Sequence, residues 1–156
     1  MNNNLYFTSD AVTGKGKDDI YVCKYVEGAY LRREILGDSI NTEGYEFNSF
    51  VSRNEEFLIY SRYNSEDGVG SGDLYISFKD KGGYWSTSRQ LGTSVNTKYM
   101  EYCPFYDEEN GVLYFTSRRE ELTPMKFDDI TQFKQYVSGD RNGLSKIYKV
   151  KIKIER

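Results

Sequence analysis

Apolar residues in this chain come in short runs, and polar turn residues punctuate them at a regular beat. Between Glu46 and Leu91 four runs follow one another. They read EFNSFVS, a polar turn, EFLIYSR, a Gly/Asp loop, DLYISF, a Lys/Gly turn, and YWSTSRQLG. Each run is rich in Tyr, Phe, Ile, Leu and Val and is flanked by Gly, Asp or Asn, which favours strand over helix. The runs are apolar on both faces rather than alternating, as in sheets that have another sheet on either side.

The same unit recurs before and after this stretch. Asp19-Ile20-Tyr21-Val22 returns 54 residues later as Asp73-Leu74-Tyr75-Ile76. Leu36-Gly37-Asp38-Ser39-Ile40-Asn41-Thr42 returns after 55 residues as Leu91-Gly92-Thr93-Ser94-Val95-Asn96-Thr97, and Glu46-Phe47-Asn48-Ser49-Phe50 as Glu101-Tyr102-Cys103-Pro104-Phe105 at the same spacing. Leu5-Tyr6-Phe7-Thr8-Ser9 is nearly identical to Leu113-Tyr114-Phe115-Thr116-Ser117, with Leu58-Ile59-Tyr60-Ser61 between them. A repeat of this length points to propellers or solenoids. With strands alone in the repeat, the prediction is an all-β chain built from β-propeller blades of four antiparallel strands. It forms a single domain, 1–156, with units of roughly 1–45, 46–100 and 101–156. The alternative is a two-sheet sandwich, although a sandwich does not need the same loop chemistry at a fixed spacing.

The expected strands are 4–9, 19–24 and 29–35 in a first blade without its inner strand, and 46–52, 56–62, 73–79 and 84–90 in a complete one. A third blade takes 101–106, 112–118 and 145–152. Its loop from Arg119 to Leu144 holds Phe127, Ile130, Phe133 and Val137 at helical spacing, with Asp128 and Asp129 near the start and Gly139 just past the end. One short amphipathic helix inserted in the last blade is predicted, its stripe packed on the sheets, with a lid or partner-docking helix as the alternative. Lys149 to Ile154 alternates like an edge strand with one face in solvent.

Composition narrows the functional classes. Of the 156 residues, 16% are aromatic, which argues against disorder. Charged residues are 29% and mixed in sign, with a net charge of −3, so there is no electrostatic footprint for nucleic acid or an anionic membrane. No apolar stretch has spanning length, and the N-terminal Met-Asn-Asn-Asn is not a signal peptide. There is no histidine, which removes the commonest general base and transition-metal ligand, and with it Ser-His-Asp and Cys-His catalysis. Cys23 and Cys103 read as small buried residues rather than a designed pair.

Two sets of residues invite a chemical reading. The glycine loops at Gly14–Asp19 and Gly68–Asp73 precede strands, so a phosphate cradle, which needs a helix there, is rejected. A calcium loop through Glu66, Asp67 and Asp73 is conceivable. The repetition of the motif favours a structural role, with the aspartate tying loop amides. Arg53–Glu56 and Asp107–Gly111 read as hairpin turns. Glu46 and Glu101 begin inner strands, which in a propeller face the channel mouth, while Arg62, Arg118 and Arg119 end second strands. Tyr45, Glu46, Arg62, Glu101, Tyr102 and Arg118 are therefore the candidate ligand-binding residues. Two carboxylates could form a hydrolytic pair. Their relation by the repeat favours equivalent blade-to-blade contacts with the arginines. No catalytic residue, metal or cofactor is assigned, and no G-x-S-x-G elbow occurs.

LYFTSD…GKGKDDIYV, FLIYSRY…GVGSGDLYISF and EYCPFYDEENGVLYFTSRR resemble the repeats of TolB-type, WD-repeat-like β-propellers. The resemblance covers essentially the whole chain, and D-[IL]-Y-[VI] is its most specific element. RNEE and DEEN stand where that family has PDG-like turns. The resemblance implies about half of a six-bladed ring, a bacterial exported or periplasmic setting, and a non-enzymatic binding or scaffold role for an unidentified protein or small molecule at the channel mouth or loops. A carbohydrate-active lyase or hydrolase using the mouth carboxylates is the alternative. Half a ring exposes a blade face at each end. A homodimer would close it; a C-terminal part of a longer propeller is the other reading.

Overall fold

The computed structural model describes residues 2–120 and 126–156. The strands, in chain order, are β1 (Leu5–Ser9), β2 (Asp19–Cys23), β3 (Tyr25–Val26), β4 (Ala29–Tyr30), β5 (Glu34–Ile35), β6 (Tyr45–Val51), β7 (Phe57–Tyr63), β8 (Gly72–Phe78), β9 (Arg89–Gln90), β10 (Glu101–Asp107), β11 (Val112–Ser117) and β12 (Lys146–Lys151). The helix α1 (Ile130–Ser138) lies between β11 and β12. Three antiparallel sheets have the orders β1-β2-β5, β6-β7-β8-β9 and β10-β11-β12, and β3-β4 is a separate hairpin. The described residues are all-β, with 43% strand, one short helix and no closed barrel among them.

The three larger sheets stack face to face. Tyr6, Ile20 and Val22 of the first pack against Leu58, Tyr60 and Tyr75 of the second. The second sheet's other face presents Phe57, Ile59, Leu74 and Ile76 to Tyr106, Leu113 and Phe115 of the third. The central strands β7 and β8 are therefore buried on both sides, which is why their sequence shows no polar face. Burying a side chain of this size contributes about 1.5–3 kcal/mol. Ile40 and Val95, matching residues of the two inter-sheet linkers, are fully buried, one in each core.

The predicted fourth strands come out shorter. Residues 29–35 divide between the hairpin and β5, and of 84–90 only Arg89 and Gln90 form a strand, joined by an isolated Trp85–Lys79 bridge. β6 and β10 each carry a bulge, where the register slips between Phe47 and Phe50 and between Tyr102 and Phe105. Asn48 and Cys103 sit in these bulges at φ 51° and 50°. Cys103 is thus exposed rather than buried, and Cys23 is half-buried.

Helix α1 starts where Asp129 accepts hydrogen bonds from the Thr131 and Gln132 amides, as its sequence suggests. Gly139 ends it in an extended conformation rather than a left-handed one. Its apolar stripe does not pack on the sheets. Ile130 is 64% exposed, and Phe133 and Tyr136 meet Phe127 of their own loop. Residues 121–125 of that insertion lie outside the described residues. β12 ends at Lys151, after which Ile152 and Ile154 tuck against the second core and Arg89 donates to the Glu155 carbonyl. The Ile152 amide still donates to the Gly111 carbonyl at 3.0 Å, and half-buried and exposed residues alternate to Ile154.

Candidate ligand-binding site

In the first two repeats a glycine loop ahead of the strand is closed by an aspartate. Asp19 Oδ2 accepts from the Lys15 and Gly16 amides at 2.8 and 3.0 Å. Asp73 Oδ2 does the same for Val69 and Gly70 at 2.8 and 3.1 Å. The loop is pressed onto the next linker: a Cβ on Gly70 would lie 2.2 Å from the Thr97 carbonyl oxygen. That close approach, rather than an unusual φ, requires glycine here.

The linker is held by an asparagine. The Asn41 side chain accepts from Ile20 N and donates to the Ile20 and Leu36 carbonyls. Asn96 brackets Leu74 in the same way, accepting from its amide and donating to its carbonyl. Beside it stands a threonine–glutamate latch. Glu46 accepts from the Thr42 amide at 2.8 Å and from its hydroxyl at 2.6 Å. Glu101 accepts from Thr97 at 2.8 and 2.7 Å, and from Ser117 Oγ at 2.6 Å. Both glutamates are fully buried. Burial pushes the Glu46 carboxyl up, against the pull of Thr42 and Arg62.

Arg62 lies opposite Glu46 across β6 and β7, with Nε 3.2 Å from Oε1. Its guanidinium also donates to the Ile40 carbonyl and the Tyr60 hydroxyl, and lies 4.4 Å from the Tyr75 ring centroid. In the third sheet Ser117 occupies the place opposite Glu101, and the cation comes from Arg119, 3.6 Å away. Arg118 turns to the surface, where it and Tyr102 both contact Ser145. Tyr45 packs edge-on against Tyr63, with Lys17 over its ring.

Of the six candidate residues, Glu46 and Arg62 meet in one latch and Glu101 stands in the next, while Tyr45 packs on Tyr63 and Tyr102 and Arg118 lie together at the surface. The contacts of Glu46 and Glu101 run to their own linkers and sheets rather than from blade to blade. The composition of the L-G-x-S-[IV]-N-T segment displays Asn41, Asn96, Thr42 and Thr97, but their role emerges only from the backbone they bind. Arg119 is masked by its neighbour Arg118.

Of the six, Arg62 lines a surface cleft of about 450 Å³, together with Thr42, Glu43, Gly44, Asn64, Glu66 and Asp67. Asp67 accepts from Ser65 and from the Tyr75 hydroxyl, contacts that hold its carboxyl low although burial alone would raise it. Among the described residues no three acids or cysteines come together as a metal site. The cleft offers hydroxyl, amide and carboxylate groups around the half-buried Arg62 guanidinium, a lining suited to polar, hydrogen-bonding ligands. In comparisons with protein-family models, curated proteins and solved structures, nothing matches this chain.

Proposed function

We propose that this chain is a non-enzymatic binding module of the TolB-like propeller type, that its stacked sheets are consecutive blades, and that a ligand or protein partner docks at the loop-face cleft beside Arg62. The observation that carries the reading is the state of the two repeated carboxylates. Hydrolysis of a glycoside takes one carboxyl group free to give a proton and a second free to attack or to activate water. Glu46 and Glu101 are enclosed by donors of their own linkers and have no exposed surface.

The repeat also supports completion of the ring by a second copy. Ile147, paired with Thr116, holds the place in the third sheet that Leu74, paired with Ser61, holds in the second. Leu74 is fully buried, whereas Ile147 is 78% exposed. At the other end Leu5, opposite Cys23, matches Leu58, opposite Ser77; Leu58 is fully buried and Leu5 is 47% exposed. The two end faces are therefore the two halves of an interface the molecule already makes internally. Two chains placed head to tail would bury both pairs of end faces.

Binding to a glycan and peptide panel, followed together with product formation, tests the functional part. Saturable binding that weakens on Asn64→Ala or Glu66→Ala, without bond cleavage, is expected. Cleavage of a glycan that disappears in Glu46→Gln or Glu101→Gln would establish the carbohydrate-active alternative instead.

A further inference from the structure

The cluster around Tyr75 has a counterpart one repeat earlier from which the acid is missing. Tyr21 matches Tyr75 at the 54-residue spacing, and at that spacing Thr13 stands where Asp67 would be. The Tyr75 hydroxyl donates to Asp67 at 2.8 Å. Tyr21 is only 2% exposed, and no protein group among the described residues accepts from its hydroxyl. That hydroxyl lies against the Gly14 turn, 3.0 Å from where a Cβ on Gly14 would sit.

Beside it opens a cleft of about 470 Å³ lined by Thr13, Tyr21, Arg32, Arg33 and Ile35. The Arg33 guanidinium is 5.4 Å from the centre of the Tyr21 ring. No carboxylate among the described residues pairs with Arg32 or Arg33. A buried donor without an acceptor costs more than an ordinary hydrogen bond contributes, and guanidinium groups match carboxylates in shape and charge.

We propose that this cleft is a carboxylate-binding site. The incoming carboxylate takes the position that Asp67 fills in the next repeat, accepting from Tyr21 and pairing with Arg33 and Arg32. Approach from solvent is feasible, because Asp67 has a side chain 63% exposed and still reaches a tyrosine that is fully buried. The assignment rests neither on the cleft beside Arg62 nor on ring closure, although Tyr21, stacked on Phe7, lies on the same face of the first sheet as Leu5, the face that a second copy would cover.

Titration of the full chain with succinate, and separately with a tetra-aspartate peptide, tests the assignment. The Arg33 side-chain NMR signal reports binding. Saturable binding is expected, weakened about tenfold or more by Arg33→Gln, the scale of a lost charge-assisted hydrogen bond. Thr13→Asp restores the acid within the chain and should abolish binding while leaving the melting temperature at or above that of the parent. Saturation by both probes identifies a free carboxylate as sufficient; saturation by the peptide alone assigns the acid to a polypeptide. No saturation with either probe, or equal affinity in the parent, Arg33→Gln and Thr13→Asp proteins, overturns the proposal.

Discussion

Glu55 ties the N-terminal strand to the central sheet. It accepts from the Asn4 amide, the Tyr6 hydroxyl and Lys79 Nζ at 2.8, 2.9 and 2.7 Å. Burial alone would raise its carboxyl, but these donors hold it below the ordinary 4.5. A carboxyl lowered on folding adds stability that is present above its unfolded value and is lost as pH falls through the folded one. Glu46 lies on the other side of 4.5, so its contribution is present below that value and is lost as pH rises through its raised folded value. In urea unfolding, Glu55→Gln is expected to cost about 1–3 kcal/mol at pH 7 and less below pH ~4. The cost of Glu46→Gln should instead shrink as pH rises from ~4 to 7. Parallel pH profiles for the two variants would contradict these assignments.

At the scale of elements, the loop-to-linker contact is as demanding as the core. Gly70→Ala places a methyl on the Thr97 and Tyr99 carbonyl oxygens, and should cost about 1–3 kcal/mol in urea unfolding. Leu74→Ala in the doubly covered strand should cost about 2–5 kcal/mol. The strands of these elements were legible because short apolar runs and turn residues repeat at one spacing. The bulges were not, since Asn48 and Cys103 adopt positive φ without glycine, and Cys103 consequently points to solvent. The brevity of the fourth strands was hidden too, because Tyr84 and Trp85 carry strand-like composition into a turn that Asp80 organises. In the candidate site, the repeated glutamates were visible as residues. Their role as latches depends on amides of Thr42 and Thr97, and a backbone donor leaves no mark in the sequence. The apolar period of α1 predicted a helix correctly but not its surroundings, because periodicity does not say what covers a face.

At the scale of the molecule, three stacked sheets leave two unlike faces, each the repeat counterpart of a face that is covered inside the chain. Ile147→Glu should therefore leave the unfolding of an isolated chain nearly unchanged, as expected of an exposed strand position, while preventing association. The proposed closure of a propeller-type module by its own copy is tested most directly by the mass of the protein in solution, from light scattering after size exclusion. Twice the 18.2 kDa of one chain, falling to a single chain in Ile147→Glu, is the expected result. A monodisperse species of 18.2 kDa at all accessible concentrations would contradict it.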